Sequence, residues 1–247
     1  MNLEQLEKLQ RIISNAKQAV FFGGAGVSTE SGIPDFRSVD GLYHLKYDVP
    51  PEQILSHSYF MKHTEKFFDF YRDKMLYLNA EPNPAHLKLA DLERNGILSA
   101  VVTQNIDGLH QLAGSQKVYE LHGSVHRNYC MHCGKAFDVR FILESENIPH
   151  CDCGGIIKPD VVLYEESLPD KTVEQAVKAI ANADVLIIGG TSLNVYPAAG
   201  FLRYFHGRHL IILNRDATQA DNMAELCIRD NIAEVLEKIK VSYDDKI

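Results

Sequence analysis

The sequence predicts an α/β protein built on a parallel sheet with crossover helices. Three observations carry that prediction. Short apolar runs recur along the chain, helical patterns separate them, and the runs are dense in β-branched residues without strict polar–apolar alternation. Runs of that kind suit strands covered on both faces. The expected strands are AVFF (19–22), LSAVVT (98–103), KVYEL (117–121), VVLY (161–164), DVLIIG (184–189) and HLIIL (209–213). The expected helices cover residues 3–17, 83–96, 171–183 and 223–240. In the second of these Pro84 stands near the start and Gly96 near the end, where helix capping favours them.

Two stretches break the alternation. Residues 39–82 hold LYHLKY, SYFMKH and EKFFDFYRDKMLYL, an aromatic-rich helical insertion with no strand of its own. Residues 126–158 hold four cysteines and little periodicity. The expected organisation is therefore a main domain from residues 1–38, 83–125 and 159–247, with the helical module 39–82 and the cysteine module 126–158 packing together as a second, smaller domain.

Composition narrows the class. The chain has 247 residues, 45% of them hydrophobic and 23% charged, ordinary values for a globular protein. No apolar run approaches the roughly 18 residues that span a membrane, and the amphipathic start MNLEQLEKLQRIISNAK does not read as a secretory signal. A net charge of −8 argues against wrapping a nucleic-acid backbone, and is compatible with lysine-rich peptide segments. The expectation is a cytoplasmic protein with no nucleic-acid or membrane partner. Its oligomeric state is not legible, a monomer being the simplest expectation.

The cysteines are spaced for a metal. Cys130-x2-Cys133 and Cys151-x-Cys153 are two close pairs separated by 17 residues, able to supply four thiolates to a tetrahedral Zn²⁺. The second pair is tighter than usual, so His132 or His150 could replace one cysteine; unligated thiols or two disulfides are the other reading. A four-thiolate site has no open position, so this zinc would fold the module and not activate water. Cys227, in what reads as an apolar helical pattern, is expected to be a buried core cysteine.

In an open α/β sheet, ligands bind beyond the carboxyl ends of the strands. After the first strand come Gly23, Gly24, Ala25, Gly26, Val27, Ser28 and Thr29; after the second, Gln104, Asn105, Ile106 and Asp107; then His122-Gly123-Ser124, Gly190-Thr191-Ser192 and Asn214-Arg215-Asp216. The glycine loop and Gly190-Thr191-Ser192 offer N–H groups and hydroxyls to phosphates, and Asn214 is placed for a ribose or adenosine. Asn105, Asp107 and His122 form the one cluster with evident chemical capability: a base near neutral pH, an orienting amide and a carboxylate. A hydride-transfer dehydrogenase is the first hypothesis, and the residues count against it. The G-x-G-x-x-G pattern ends in Thr29, and no strand closes on an acidic residue about 20 positions later.

The segments GAGVSTESGIPDFRS, TQNIDGLH, ELHGS, the two cysteine pairs, KPDVVLYEE, GTSLNVYPAA and ILN, in that order, closely resemble the sirtuins, NAD-dependent protein lysine deacylases. The resemblance covers about residues 18 to 238. It implies an inverted Rossmann-like domain with helices on both faces of its sheet, a small domain made of a helical and a zinc-binding module, and NAD held in the cleft between them. It implies that Ala25, Thr29, Phe36 and Arg37 line the NAD pocket from the first loop, joined by Gly24, Gly26 and Gly190. Gln104, Asn105, Ile106 and Asp107 would surround the nicotinamide and its ribose; Thr191, Ser192, Asn214 and Ile232 would hold phosphates and adenosine; His122 would be the base.

The implied reaction is deacetylation. The acyl oxygen displaces nicotinamide, giving deacylated lysine, nicotinamide and O-acetyl-ADP-ribose, with Phe36 excluding water and Asp107 holding the carboxamide. The acyl-lysine protein would bind as an extended strand along Val161, Val162, Leu163 and Tyr164. Here the chain departs from the family's Phe-Gly-Glu, reading Tyr164-Glu165-Glu166. Glu165 would either favour basic flanking residues or change the rigidity of the loop. Sirtuins that prefer succinyl groups carry Tyr-x-x-Arg; this chain has Tyr71 with Lys74, which cannot form the bidentate fork, so acetyl or other neutral acyl groups are expected. The alternatives are a desuccinylase or other acyl preference, a protein mono-ADP-ribosyltransferase using the same pocket, and an NAD sensor or scaffold without turnover.

Overall fold

A computed structural model describes residues 1–36 and 48–241. In chain order the elements are α1 (Leu3–Ser14), β1 (Ala19–Gly23), α2 (Pro51–Ile54), α3 (His57–Lys62), α4 (Thr64–Lys74), α5 (Pro84–Arg94), β2 (Leu98–Thr103), α6 (Leu109–Leu112) and β3 (Val118–Glu120). They continue with β4 (Gly123–Cys130), β5 (Ala136–Phe137), α7 (Val139–Glu144), β6 (Ile157–Val161), α8 (Asp170–Asn182), β7 (Val185–Gly189), β8 (His209–Leu213), β9 (Leu226–Ile228) and α9 (Ile232–Glu237). Arg37 and the LYHLKY stretch lie outside the described residues.

Six strands form a parallel sheet in the order β3-β2-β1-β7-β8-β9. The absence of polar alternation in its sequence has a direct cause. Successive residues point to opposite faces, and both faces are covered. Phe21, Ile187 and Ile211 join one core, with α1, α5 and α9; Val20, Phe22, Ile188 and Ile212 join a second, with α8. Asn2 starts α1 by accepting from the Gln5 N–H while the Gln5 side chain accepts from Asn2, and Leu9, Ile12 and Ile13 bury its inward face.

Asn83 does more than cap. Its Oδ1 takes the Ala85 N–H that begins α5, and its Nδ2 donates to Val27 C=O at 2.8 Å and to Ser31 Oγ at 3.0 Å. The helix start is thereby fastened to the glycine-containing loop that follows β1.

Two expected elements differ. VVLY is not a strand of the parallel sheet: Val161 ends β6, which pairs antiparallel with β4, and Tyr164 makes an isolated parallel bridge to Ser56. The sixth place belongs to β9, inside the expected helix 223–240. Leu226 and Ile228 point into one core while Cys227 packs on the other side, which is strand geometry, and Asn231 then caps the shorter α9. Cys227 is partly buried.

Residues 123–161 contain a second sheet, three-stranded and antiparallel, in the order β5-β4-β6. A third core joins it to the aromatic helices. Phe60, Phe67, Phe68 and Tyr71 pack edge-on and stacked with centroids 4.9–6.5 Å apart, against Val125, Cys130, Ile142, Cys151 and Ile157.

Candidate active site

The carboxyl ends of β1, β2, β3, β7 and β8 open into one cavity of about 430 Å³, closed on its far side by α4, the residues after it and the segment after β6. Most of the expected site residues line it: Ala25, Gly26, Thr29 and Phe36; Gln104, Asn105, Ile106, Asp107 and His122; Gly190, Thr191 and Ser192; Asn214 and Ile232; Val161, Val162, Leu163 and Tyr164.

Gly24 does not line the cavity. A Cβ there would stand 2.8 Å from Thr191 Cβ and 2.9 Å from Gln104 Oε1, so its bare backbone lets two neighbouring loops close over it. The same holds between Gly26 and Gly190, whose backbones meet through Gly26 N–H to Gly190 C=O at 2.8 Å. Gly190 has φ 58°, and a Cβ on it would reach 2.4 Å from Val27 N. The two loops thus form a cradle of bare backbone at the cavity wall, the kind of surface on which a diphosphate rests.

Gln104 organises the centre. Its N–H donates to Gly23 C=O at 3.0 Å, and its Oε1 accepts the Thr191 hydroxyl at 3.0 Å. Its carbonyl accepts from His122 Nδ1 at 2.9 Å. A carbonyl has no proton to give, so Nδ1 carries the hydrogen and Nε2 keeps its lone pair. Burial pushes the His122 imidazole below its ordinary pKa, the Gln104 bond only partly offsetting this, so the ring is neutral near pH 7. Gln104 Nε2 is buried without a protein partner.

A second chain of hydrogen bonds has a defined sense. Asn105 Nδ2 donates to Ser28 Oγ at 3.0 Å, and Ser28 Oγ donates to Asp107 Oδ2 at 2.7 Å. The other carboxylate oxygen takes the Leu109 N–H at 2.9 Å. Asn105 Oδ1 is left as the free acceptor of that amide. Ser28, 1% exposed, is the residue that sequence reasoning passed over, although it lies inside the loop that reasoning singled out.

Beneath this chain lie two buried histidines. His110 and His86 pack T-shaped with centroids 4.8 Å apart, and neither His110 ring nitrogen nor His86 Nε2 has a partner. Burial, then repulsion from His86, pushes the His110 imidazole down to about 3; burial likewise depresses His86 against the pull of Asp107.

Tyr71, expected at the acyl group, is elsewhere. It is fully buried, stacked on Phe67 at 5.6 Å, and does not line the cavity. The aromatic face of α4 faces the third core and carries Tyr71 with it, while Lys74, at the end of the helix, reaches the cavity together with Met75, Tyr77 and Leu78.

The four cysteines converge. Cys130, Cys133, Cys151 and Cys153 place their sulfurs within 4.8 Å of one another, with Cys130–Cys153 at 3.4 Å and Cys133–Cys151 at 3.6 Å, and no disulfide joins them. Tetrahedral zinc with bonds of about 2.3 Å sets sulfurs about 3.8 Å apart, so the set fits that ion. His150 Nδ1 faces Gly154 C=O at 3.3 Å, outside the thiol group.

The fold and the site together define a Rossmann-like protein with a cavity at the carboxyl ends of its parallel strands and a four-cysteine site fit for zinc, and comparison with known proteins gives the family. Residues 24–197 match the Sir2 family model. The NAD-dependent protein deacetylase of Clostridium acetobutylicum is 60% identical, over 96% of this chain and 98% of that protein. Its counterpart in Clostridium perfringens is 57% identical, with the same coverage of 96% and 98%. A structure of Sir2 with a p53 peptide and NAD⁺ superposes with a TM-score of 0.85 at 38% identity, covering 94% of this chain and 96% of that one. The chain belongs to the Sir2 family.

Proposed function

We propose that this cavity holds NAD and an acyl-lysine side chain, and that His122 is the base of the reaction. The activity is that of the family: the chain is an NAD-dependent protein lysine deacetylase, with structural zinc in the four-cysteine site. NAD supplies the electrophilic ribose carbon from which nicotinamide leaves. The other steps fall to the chain's residues. The observation that carries the reading is the His122–Gln104 bond, which fixes the tautomer with Nε2 unprotonated at neutral pH. That unprotonated Nε2 would hold the proton given up on the ligand side, help worth about 10²–10⁴-fold.

Asn105 and Asp107, joined through Ser28, orient the nicotinamide side, and Asp107 holds the carboxamide. Phe36, which lines the cavity, keeps water from the reacting carbon. The Gly26–Gly190 cradle, Thr191 and Ser192 carry the phosphates, with Asn214 and Ile232 at the adenosine. Residues 161–166 serve as the platform on which the acylated peptide lies as a strand.

The neutral-acyl reading is supported by the cavity wall. Leu55, Ile106, Met75, Leu78 and Val125 are apolar, and Tyr71 contributes no hydroxyl to it. We take residues 39–82 and 126–158 as one small domain, on the strength of their common core, and the cytoplasm as the working compartment, on the strength of unpaired thiols.

Incubating the pure protein with NAD and an acetyl-lysine peptide tests the function directly. Loss of an acetyl mass from the peptide, with O-acetyl-ADP-ribose appearing, is the expected result. A gain of ADP-ribose mass on protein or peptide would mean transfer instead, and no change would mean a sensor. Higher kcat/KM on succinyl-peptide than on acetyl-peptide would overturn the acyl assignment.

A further inference from the structure

The segment after β6 folds back on itself at Leu163–Glu166. Glu166 N–H donates to Leu163 C=O at 3.0 Å, and Glu165 has φ 75°. These are the marks of a type II turn, whose third position favours glycine because a side chain there is strained. The chain nonetheless places glutamate at that point, and each carboxylate oxygen has a partner. One oxygen takes the Ser58 N–H at 2.9 Å and the other the Ser58 hydroxyl at 3.0 Å.

Further bonds fasten the turn to the stretch around Ser56 and to its own strand. Tyr164 N–H donates to Leu55 C=O at 3.0 Å, and Tyr164 C=O accepts His57 N–H at 2.9 Å. The Glu166 carboxylate takes Leu163 N–H at 2.9 Å, Lys158 Nζ at 3.0 Å and His57 Nδ1 at 2.9 Å. The turn is thus docked along one side, and its other side, with Leu163, Tyr164 and Glu165, lines the cavity. Of these fastenings, the Glu165–Ser58 clasp is the one formed by the residue that the turn itself disfavours.

We propose that Glu165 is a positioning residue for the acyl-lysine peptide: its carboxylate, held by Ser58, keeps the peptide-binding turn docked against the helical insertion. The inference rests on reading residues 161–166 as the peptide platform. Without the clasp, the strained backbone at Glu165 favours release, and the peptide binds only the fraction of molecules whose turn is docked. The clasp to Ser58 gives Glu165 a structural task that does not depend on the charge of the residues flanking the acyl-lysine.

The test is steady-state kinetics of the zinc-loaded full chain on two acetyl-lysine peptides, one flanked by lysines and one by neutral residues. Glu165→Ala keeps the strain and loses the clasp. It should raise KM for both peptides about fivefold, the scale of one charge-assisted hydrogen bond at a half-exposed site, with kcat within about twofold and KM for NAD unchanged. Glu165→Gly loses the clasp but also the strain, so its KM rises less; Glu165→Gln keeps acceptor and shape and stays near wild type. Ser58→Ala should raise KM in the same direction and add little to Glu165→Ala in the double variant.

Tyr164→Ala serves as the control for the platform. If it raises KM while the Glu165 variants do not, the clasp is wrong and the platform stands. Unchanged KM in Tyr164→Ala as well removes the platform and the inference with it. If Glu165→Gln matches Glu165→Ala and only the lysine-flanked peptide suffers, the carboxylate reads charge and positioning is refuted.

Discussion

Lowering the pH from 7 to 5 should cost this protein much of its stability, and the cost should trace to His86 and His110. Both are essentially sealed from solvent, at 0% and 1% exposure. A protonated His110 would carry two N–H groups with no acceptor; protonating His86 would likewise leave Nε2–H without one and set a proton on Nδ1, which accepts the Asn83 N–H, so both protonations are resisted. The sign follows: a group whose native pKa is depressed leaves the unfolded chain binding more protons, so stability falls as pH drops below the unfolded value of about 6.5. For His110, held at about 3, the native ring stays neutral throughout this window while the unfolded one becomes fully protonated. At about 1.4 kcal/mol per pKa unit, the loss between pH 7 and 5 is about 2 kcal/mol, and His86 adds a comparable amount. A loss of about 4 kcal/mol is large against total stabilities of roughly 5–15 kcal/mol.

The chain has no tryptophan, so urea unfolding is best followed by far-ultraviolet circular dichroism, in zinc-containing buffer at several pH values. Zinc thiolates also take up protons in acid, so the informative quantity is the difference from His110→Leu, in which that contribution is common to both proteins. The variant should lose about 2 kcal/mol less than wild type over the same interval, or about 4–8 °C less in Tm. Parallel pH dependences for the two proteins would show that His110 titrates freely and would refute the argument.

Three further outcomes are expected. His122→Asn should lower kcat about 10²–10⁴-fold with NAD binding and Tm retained, and the wild-type rate, needing a neutral ring of depressed pKa, should hold its plateau into mildly acid solution; full activity of the variant excludes His122 as base. Gly123→Ala places a Cβ 1.8 Å from Asp160 C=O at φ 76°, so it should lower urea stability by more than about 2 kcal/mol and abolish turnover, both measurable on one preparation. Cys151→Ser should release zinc to a colorimetric chelator and lose activity together with near-ultraviolet ellipticity, since Cys130 and Cys151 share their core with Val161, Leu163 and Met75 of the cavity wall.

How far the sequence carries depends on how local the signal is. β1, β7 and β8 were legible because Val20, Phe21 and Ile187 are apolar on both faces, a pattern that needs no partner to interpret. The cysteine set was legible because zinc coordination fixes ligand spacing. The residues that line the cavity at the strand ends followed from one geometric rule. β9 was hidden because three residues, Leu226 to Ile228, cannot distinguish a period of two from the flanking helical period. β4 and β6 were hidden because their pairing is settled by tertiary contacts around the cysteines. Tyr71 was misplaced since spacing says which residues share a helix face but not which face the core takes. Gly24 was taken for a ligand contact because sequence cannot separate a glycine that touches a ligand from one that lets two loops touch each other.

His122 occupies a seam. The chain leaves the parallel sheet after β3, and one residue past His122 it enters β4 of the antiparallel sheet. The imidazole is tied by Nδ1 to Gln104 at the end of β2, whereas the backbone carbonyl of the same residue accepts the Val162 N–H beyond β6. Ring and main chain therefore answer to different sheets. Any sliding of one sheet against the other would turn the Nε2 lone pair relative to the cavity, so the direction in which that lone pair points depends on how the two sheets are aligned.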